Sequence, residues 1–243
     1  MKSITSRSLL RPFGWCVVLS LFLLISCGGG GGGESPTPIP TPVPSGVSIS
    51  AKVIDGYITG ANVYIDFNWN LQQDEGEPSA TDDGDGNYTF LLAAEDLIVE
   101  NFSYDCAEKR TKVADIPVGA VDSDLGTIDE AFTMYHVPGI PVGGIVNISP
   151  FTGLFLDIVS SVKDEMNLSE ITVANGCGPD ADSIANNVIA KVTEFVDTLE
   201  ANFGITMSDL YEDYIASNNA ERSEKAEKVV SSVSYTHLTL PTN

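Results

Sequence analysis

The sequence predicts an α+β protein, an antiparallel β-sandwich followed by a small α-helical domain, and three observations carry that expectation. Apolar residues alternate with period two in several runs across residues 47–92, they recur at helical spacing after Ser149, and a Gly- and Pro-rich stretch separates both from an apolar N-terminal run. The 243 residues carry 12 Lys+Arg against 34 Asp+Glu, a formal net charge of -22. Such a surface repels phosphate backbones, which excludes a basic nucleic-acid grip and makes cations the expected partners.

Lys2, Arg7 and Arg11 precede an apolar run at residues 13–25. The run is shorter than the roughly 20 residues of a membrane-spanning helix, so residues 1–26 read as an export signal. Its end, Leu24-Ile25-Ser26-Cys27, resembles the lipobox of bacterial lipoproteins. The resemblance implies cleavage before Cys27 and a lipid on its thiol, which makes the membrane a partner at roughly 0.8 kcal/mol per buried methylene. An ordinary cleaved signal is the alternative. Gly28 directly after that cysteine implies, by the same resemblance, sorting to the outer membrane, facing either the periplasm or the cell surface. Residues 27–46 then form a tether. Residues 28–33 are all Gly, a flexible coil, and Pro36, Pro38, Pro40, Pro42 and Pro44 favour a stiffer polyproline II spacer.

The β-rich part is expected over residues 47–148. Val47, Ile49, Ala51 and Val53 alternate with polar residues, as do Ala61, Val63 and Ile65, and a third run covers residues 88–92. Residues 103–148 give one further clear strand near residues 132–137 and otherwise read as short strands and long loops. His136 in that strand has no second ligand or acid at suitable spacing, so it reads as a packed imidazole. Cys106 and Cys177 are the only cysteines after Cys27. In an exported chain that even pair suggests a disulfide closing about 70 residues, stabilising by about 4 kcal/mol on the chain-entropy model. Metal ligation and two buried thiols are the alternatives.

Between the second and third strands, residues 66–77 place oxygen ligands at loop positions 1, 3, 5, 9 and 12: Asp66, Asn68, Asn70, Asp74 and Glu77. This is the EF-hand ligand spacing, and the Gln72 carbonyl supplies position 7. Hard divalent cations take six to eight oxygens, so Ca2+ is the expected cofactor. Three carboxylates packed together also repel one another without a cation. Leu71 stands where the pattern has Gly, and the flanks are strands, so the loop is not a true EF-hand. A solvated acidic hairpin is the alternative.

Asp55-Gly56-Tyr57-Ile58-Thr59-Gly60-Ala61, the 66–78 loop, Thr81-Asp82 and Gly86-Asn87-Tyr88 together resemble the prealbumin-like Cna B-type and Sdr-type B-repeat domains of bacterial surface adhesins. The resemblance covers roughly residues 47–92 and implies a β-sandwich with a structural, non-catalytic calcium. Asp83, Asp85 and Asn87 form a possible second ion site, against a plain Gly-rich hairpin. Trp69 and Phe67 sit in the ligand loop. Only one of them is expected to turn inward, leaving Trp69 as a core lid or as a platform for a glycan or protein ligand.

Residues 149–232 are expected to be helical. Ser149 caps a helix with Pro150 at its first position and a stripe of Phe151, Leu154, Phe155, Ile158, Val159, Val162 and Met166. A second helix starts at Pro179, buries Ile184, Val188, Val192, Phe195, Val196, Leu199 and Phe203, and stops at Gly204. Ser208 is expected to cap a third, and alternating charges mark a fourth over residues 219–233. Residues 233–243, which include His237, continue no pattern. They resemble a translated sequencing adapter, with the natural chain expected to be cut near Ser232, and an unstructured tail is the alternative.

Ser160-x-x-Lys163 is the one nucleophile motif. It lacks the Ser-Asp-Asn and Lys-Thr-Gly partners of penicillin-binding enzymes, so no catalytic residue is assigned and the chain does not read as an enzyme. Signal, tether and ion loop in series point to a lipid-anchored module for adhesion, envelope architecture or display of a further domain. Carbohydrate binding through Trp69 is the alternative, with an envelope hydrolase as the remoter one.

Overall fold

Residues 46–138, 144–166 and 170–225 are described by the computed structural model. The signal, Cys27, nearly all of the tether and the adapter-like tail lie outside the described residues. The strands are β1 Val47–Val53, β2 Ile58–Thr59, β3 Asn62–Asp66, β4 Thr81–Gly84 and β5 Asn87–Leu92. After helix α1, Tyr104–Glu108, come β6 Thr111–Ile116, β7 Val121–Asp122, β8 Gly126–Thr127, β9 Phe132–His136 and β10 Ile145–Ile148. The helices that follow are α2 Leu156–Met166, α3 Pro179–Phe203 and α4 Met207–Leu210.

Two sheets enclose the first core. One has the order β10-β1-β5-β4 and the other β3-β6-β9, while β2-β7-β8 is a small accessory sheet. From β1, Ile49, Ala51 and Val53 point inward with Tyr88, Phe90 and Leu92 of β5, and they meet Val63, Ile65, Ala114, Ile116 and Met134 of the second sheet. Period-two alternation in β1 and β5 produces this directly, because successive side chains leave opposite faces of a strand. The β4–β5 turn is Asp85-Gly86, both residues with positive φ, as a two-residue hairpin requires.

The antiparallel expectation fails at one pairing: β10 runs parallel to β1. The chain leaves β9 in one sheet and enters β10 in the other, so no tight hairpin forces the two senses to oppose.

The second core is helical in the main, built from Phe155, Val159 and Val162 with Ile184, Val188, Val192 and Val196. Ile54, Trp69 and Val137 enter it from the strand-rich part. Leu154, Phe195 and Phe203, expected in the apolar stripes, are exposed. The first turn explains Leu154: Thr152–Phe155 is a 3-10 helix, whose three-residue repeat rotates the stripe before α2 begins. At the other end, α3 stops at Gly204, whose φ of 66° gives the left-handed closure. The third helix is capped by Thr206, not Ser208. Thr206 accepts from the Asp209 amide, and the Asp209 carboxylate accepts in return from the Thr206 amide. Residues 220–225 are helical, and the rest of the fourth expected helix lies outside the described residues. Among the described residues no helix is long and apolar enough to cross a membrane.

Candidate metal centre

The 66–77 loop leaves the end of β3 and folds back on itself. Asp66 is fully buried at the strand end, where its Oδ2 accepts from the Leu71 amide at 2.8 Å and its Oδ1 from the Asn70 amide at 3.3 Å. Glu77 closes the loop from the other side: Oε1 accepts from the Phe67 amide at 2.7 Å and Oε2 from the Asp74 amide at 3.0 Å. One carboxylate thus ties loop positions 2 and 9. The carboxamides of Asn68 and Asn70 both donate to Asp74 Oδ2, at 2.7 and 2.6 Å. Gln72 is exposed, and its amide donates to Asn70 Oδ1 at 2.8 Å.

All six expected ligand residues are therefore joined in one hydrogen-bonded ring, Gln72 through its backbone alone. As it lies, the ring is closed by N–H groups. Among the described residues no three His, Cys, Asp or Glu side chains converge in a metal-holding arrangement. The donor set is nonetheless all oxygen once the two carboxamides turn over, which is the chemistry a hard cation selects. Rotating them also releases Asp74 Oδ2.

Electrostatics place a demand for positive charge in this ring. Burial pushes Glu77 up to about 7, with backbone N–H bonds opposing and the Asp66 and Asp74 charges adding to the push. Asp66 is raised as well, chiefly by burial, against the pull of the Leu71, Asn70 and Trp69 amides and of the Lys163 charge. A buried carboxylate without a counter-charge prefers its proton, and a divalent ion would replace that proton.

Both aromatic residues of the loop are buried, and the expectation that only one turns inward fails, since residues two apart on a strand leave the same face. Trp69 has a φ of 61°, a left-handed turn that breaks the strand alternation and sends its ring the other way. Phe67 joins the first core and Trp69 the second. With 2% of its surface exposed, the Trp69 ring offers no face to a sugar in this arrangement. It packs instead beneath the Arg110 guanidinium, 5.8 Å from the ring centroid.

Supports reach the loop from distant parts of the chain. Cys106 and Cys177 form a disulfide, with Cα atoms 5.6 Å apart, which pins the segment before α3 to α1. Beside it, Gly176 packs directly on Phe67. Any Cβ there would fall 2.6 Å from Phe67 Cβ and 2.7 Å from its carbonyl oxygen. Arg110 is fully buried and donates from Nε to the Gly176 carbonyl and from Nη2 to Asp182, each at 2.7 Å. On the α2 side, Lys163 Nζ donates to the Trp69 carbonyl at 2.5 Å. Lys163 thus engages the 66–77 loop. Spacing within residues 66–77 contains no trace of Arg110, Lys163 or Gly176, which lie 33 to 99 residues beyond it. The Gly next to Cys177 is the only local hint.

The other singled-out residues are arranged differently. Asp83 Oδ2 accepts from the Thr89 hydroxyl at 2.6 Å, and the Asn87 side-chain carboxamide donates to the Gly84 carbonyl at 3.0 Å and the Asp85 carbonyl at 3.4 Å. This segment is a cross-bonded hairpin. His136 is buried with Nδ1 2.8 Å from the Asn147 carbonyl, which makes Nδ1 the protonated nitrogen. Burial first, and the Lys112 charge second, hold it down to about 3. Lys112, its cross-strand neighbour, is also buried. Its Nζ donates to the Glu108 and Arg110 carbonyls at 2.6 and 2.8 Å.

No protein-family model, characterised protein or solved structure matches this chain.

Proposed function

We propose that the chain is a lipid-anchored protein of the bacterial cell envelope whose β-rich part is stiffened by one structural calcium ion. The observation that carries this reading is the pair of buried carboxylates, Asp66 and Glu77, at the first and last positions of a loop with oxygen groups at every intervening ligand position. Such carboxylates raise the cost of the metal-free state, and an ion bridging them lowers it. Asp66, Asn68, Asn70, Asp74 and Glu77 would hold the ion with their side-chain oxygens and Gln72 with its carbonyl. The ion supplies positive charge and cross-linking, not catalysis. Two sheets around one core and the Sdr-like loop spacing support a prealbumin-like sandwich, and with it a role in adhesion, envelope architecture or display of a further domain.

The anchoring half rests on the lipobox resemblance, with Cys27 carrying the lipid and the outer membrane as destination. Two measurements test the proposal. Calcium at millimolar concentration raises the melting temperature of the full chain, and Glu77→Gln abolishes the rise. Cys27→Ser moves the protein from the membrane fraction to the soluble one. A calcium-insensitive melting temperature refutes the first half, and an unchanged membrane fraction refutes the second.

A further inference from the structure

The ion loop already carries one cation, and it comes from the helical part of the chain. Lys163 lies in the last turn of α2, directly after the buried Val162, where a lysine ordinarily serves its own helix's terminal carbonyls. Here its ammonium instead reaches 94 residues back to the Trp69 carbonyl. That placement is selective in an acidic chain with 12 basic residues in all. The neighbouring acid Glu165 is paired elsewhere, with Lys191 at 2.6 Å, so it does not neutralise Lys163. Trp69 occupies loop position 4, which is not a ligand position in the oxygen pattern. Its bond to Lys163 and a bound ion are therefore compatible.

We propose that Lys163 is the built-in counter-charge of the loop: bonded to the Trp69 carbonyl, it offsets carboxylate charge in the metal-free ring, and by the same charge it weakens the loop's affinity for calcium. The proposal rests on the calcium reading of the loop. Two consequences follow from one positive charge. Without the ion, Lys163 offsets part of the repulsion among Asp66, Asp74 and Glu77. With the ion present, its charge opposes the divalent one across a partly solvated gap, and removing it tightens binding by about three- to tenfold. A purely mechanical anchor gives the opposite sign, because loosening the Trp69 carbonyl disorganises the loop and weakens binding.

The experiment compares full-length wild type, Lys163→Gln, Lys163→Met and Lys163→Arg in detergent. It follows terbium luminescence sensitised by Trp69, displaced by calcium, and the metal-free melting temperature. The expected result is a calcium Kd lowered about three- to tenfold in the Gln variant, the same direction in the Met variant, and a near wild-type value in Lys163→Arg. The metal-free melting temperature falls in both neutral variants and holds in the Arg variant. An unchanged or raised Kd in the neutral variants, with wild type binding calcium, overturns the counter-charge role and leaves the ion site standing. Absence of calcium displacement in wild type and variants alike overturns both. If Lys163→Gln does not fold without metal, recovery of its fold by calcium supports the proposal and failure of the Met variant to recover overturns it.

Discussion

Phe67 and Trp69, separated by a single residue, are buried in two different hydrophobic cores. The loop that carries the candidate calcium ligands is thereby pinned at both faces, one ring against the β-sheets and the other against the helices. The left-handed backbone at Trp69 makes this possible, since an uninterrupted strand sends residues two apart to the same face.

Truncating either ring is expected to be costly. Trp69→Ala and Phe67→Ala each lose about 3–5 kcal/mol of stability, measured by urea unfolding, as large-to-small changes at packed sites do. A loss for Trp69→Ala of under about 0.5 kcal/mol, the range of surface substitutions, would show the ring to be exposed.

Gly176→Ala tests the contact behind the loop. The new methyl group falls on the Phe67 side chain and carbonyl, both fixed by packing, so the expected loss is about 1–3 kcal/mol. Because Gly176 does not have a positive φ, the effect comes from space alone. A neutral outcome would mean that the segment moves aside without cost.

The disulfide spans 71 residues of sequence. Replacing both Cys106 and Cys177 by Ser is expected to lower stability by about 4 kcal/mol on the chain-entropy model, seen as a lower urea midpoint. Thiol titration of the unreduced, unfolded protein should find neither cysteine reactive.

Much of the β-rich part is legible in the sequence because one face of β1 is exposed and the alternation is clean. β3 departs from that pattern: Tyr64, on the expected outer face, is fully buried, because its hydroxyl donates to the Leu71 carbonyl of the loop folded over it. β6 was illegible for a related reason. It sits between β3 and β9, and it buries Thr111 and Lys112, residues that read as solvent-facing. Strand pairing across two sheets, including the parallel β1–β10 pair, leaves no local signature. In the loop, oxygen spacing was readable while its supports were not. Spacing records what one segment can fold onto itself, whereas Lys163, Arg110 and Gly176 arrive by tertiary packing.

His136 gives the protein an acid sensitivity of defined sign. It is held neutral in the folded state, with its ionisation pushed down to about 3 from an ordinary 6.5. Its contribution is complete above pH 6.5 and is lost progressively as pH falls toward 3, at up to about 1.4 kcal/mol per pH unit. Urea unfolding at pH 7, 6, 5 and 4 measures the slope. His136→Asn is expected to flatten it, and an identical slope in that variant would assign the loss to other groups.

Counting bound ions is the most direct test of the central claim. Equilibrium dialysis of the full chain against calcium, at about 0.1–1 mM where extracellular modules bind, is expected to find one ion per chain and none in Glu77→Gln. A wild-type protein that retains no calcium through this range, or a Glu77→Gln variant that retains as much as wild type, would contradict it.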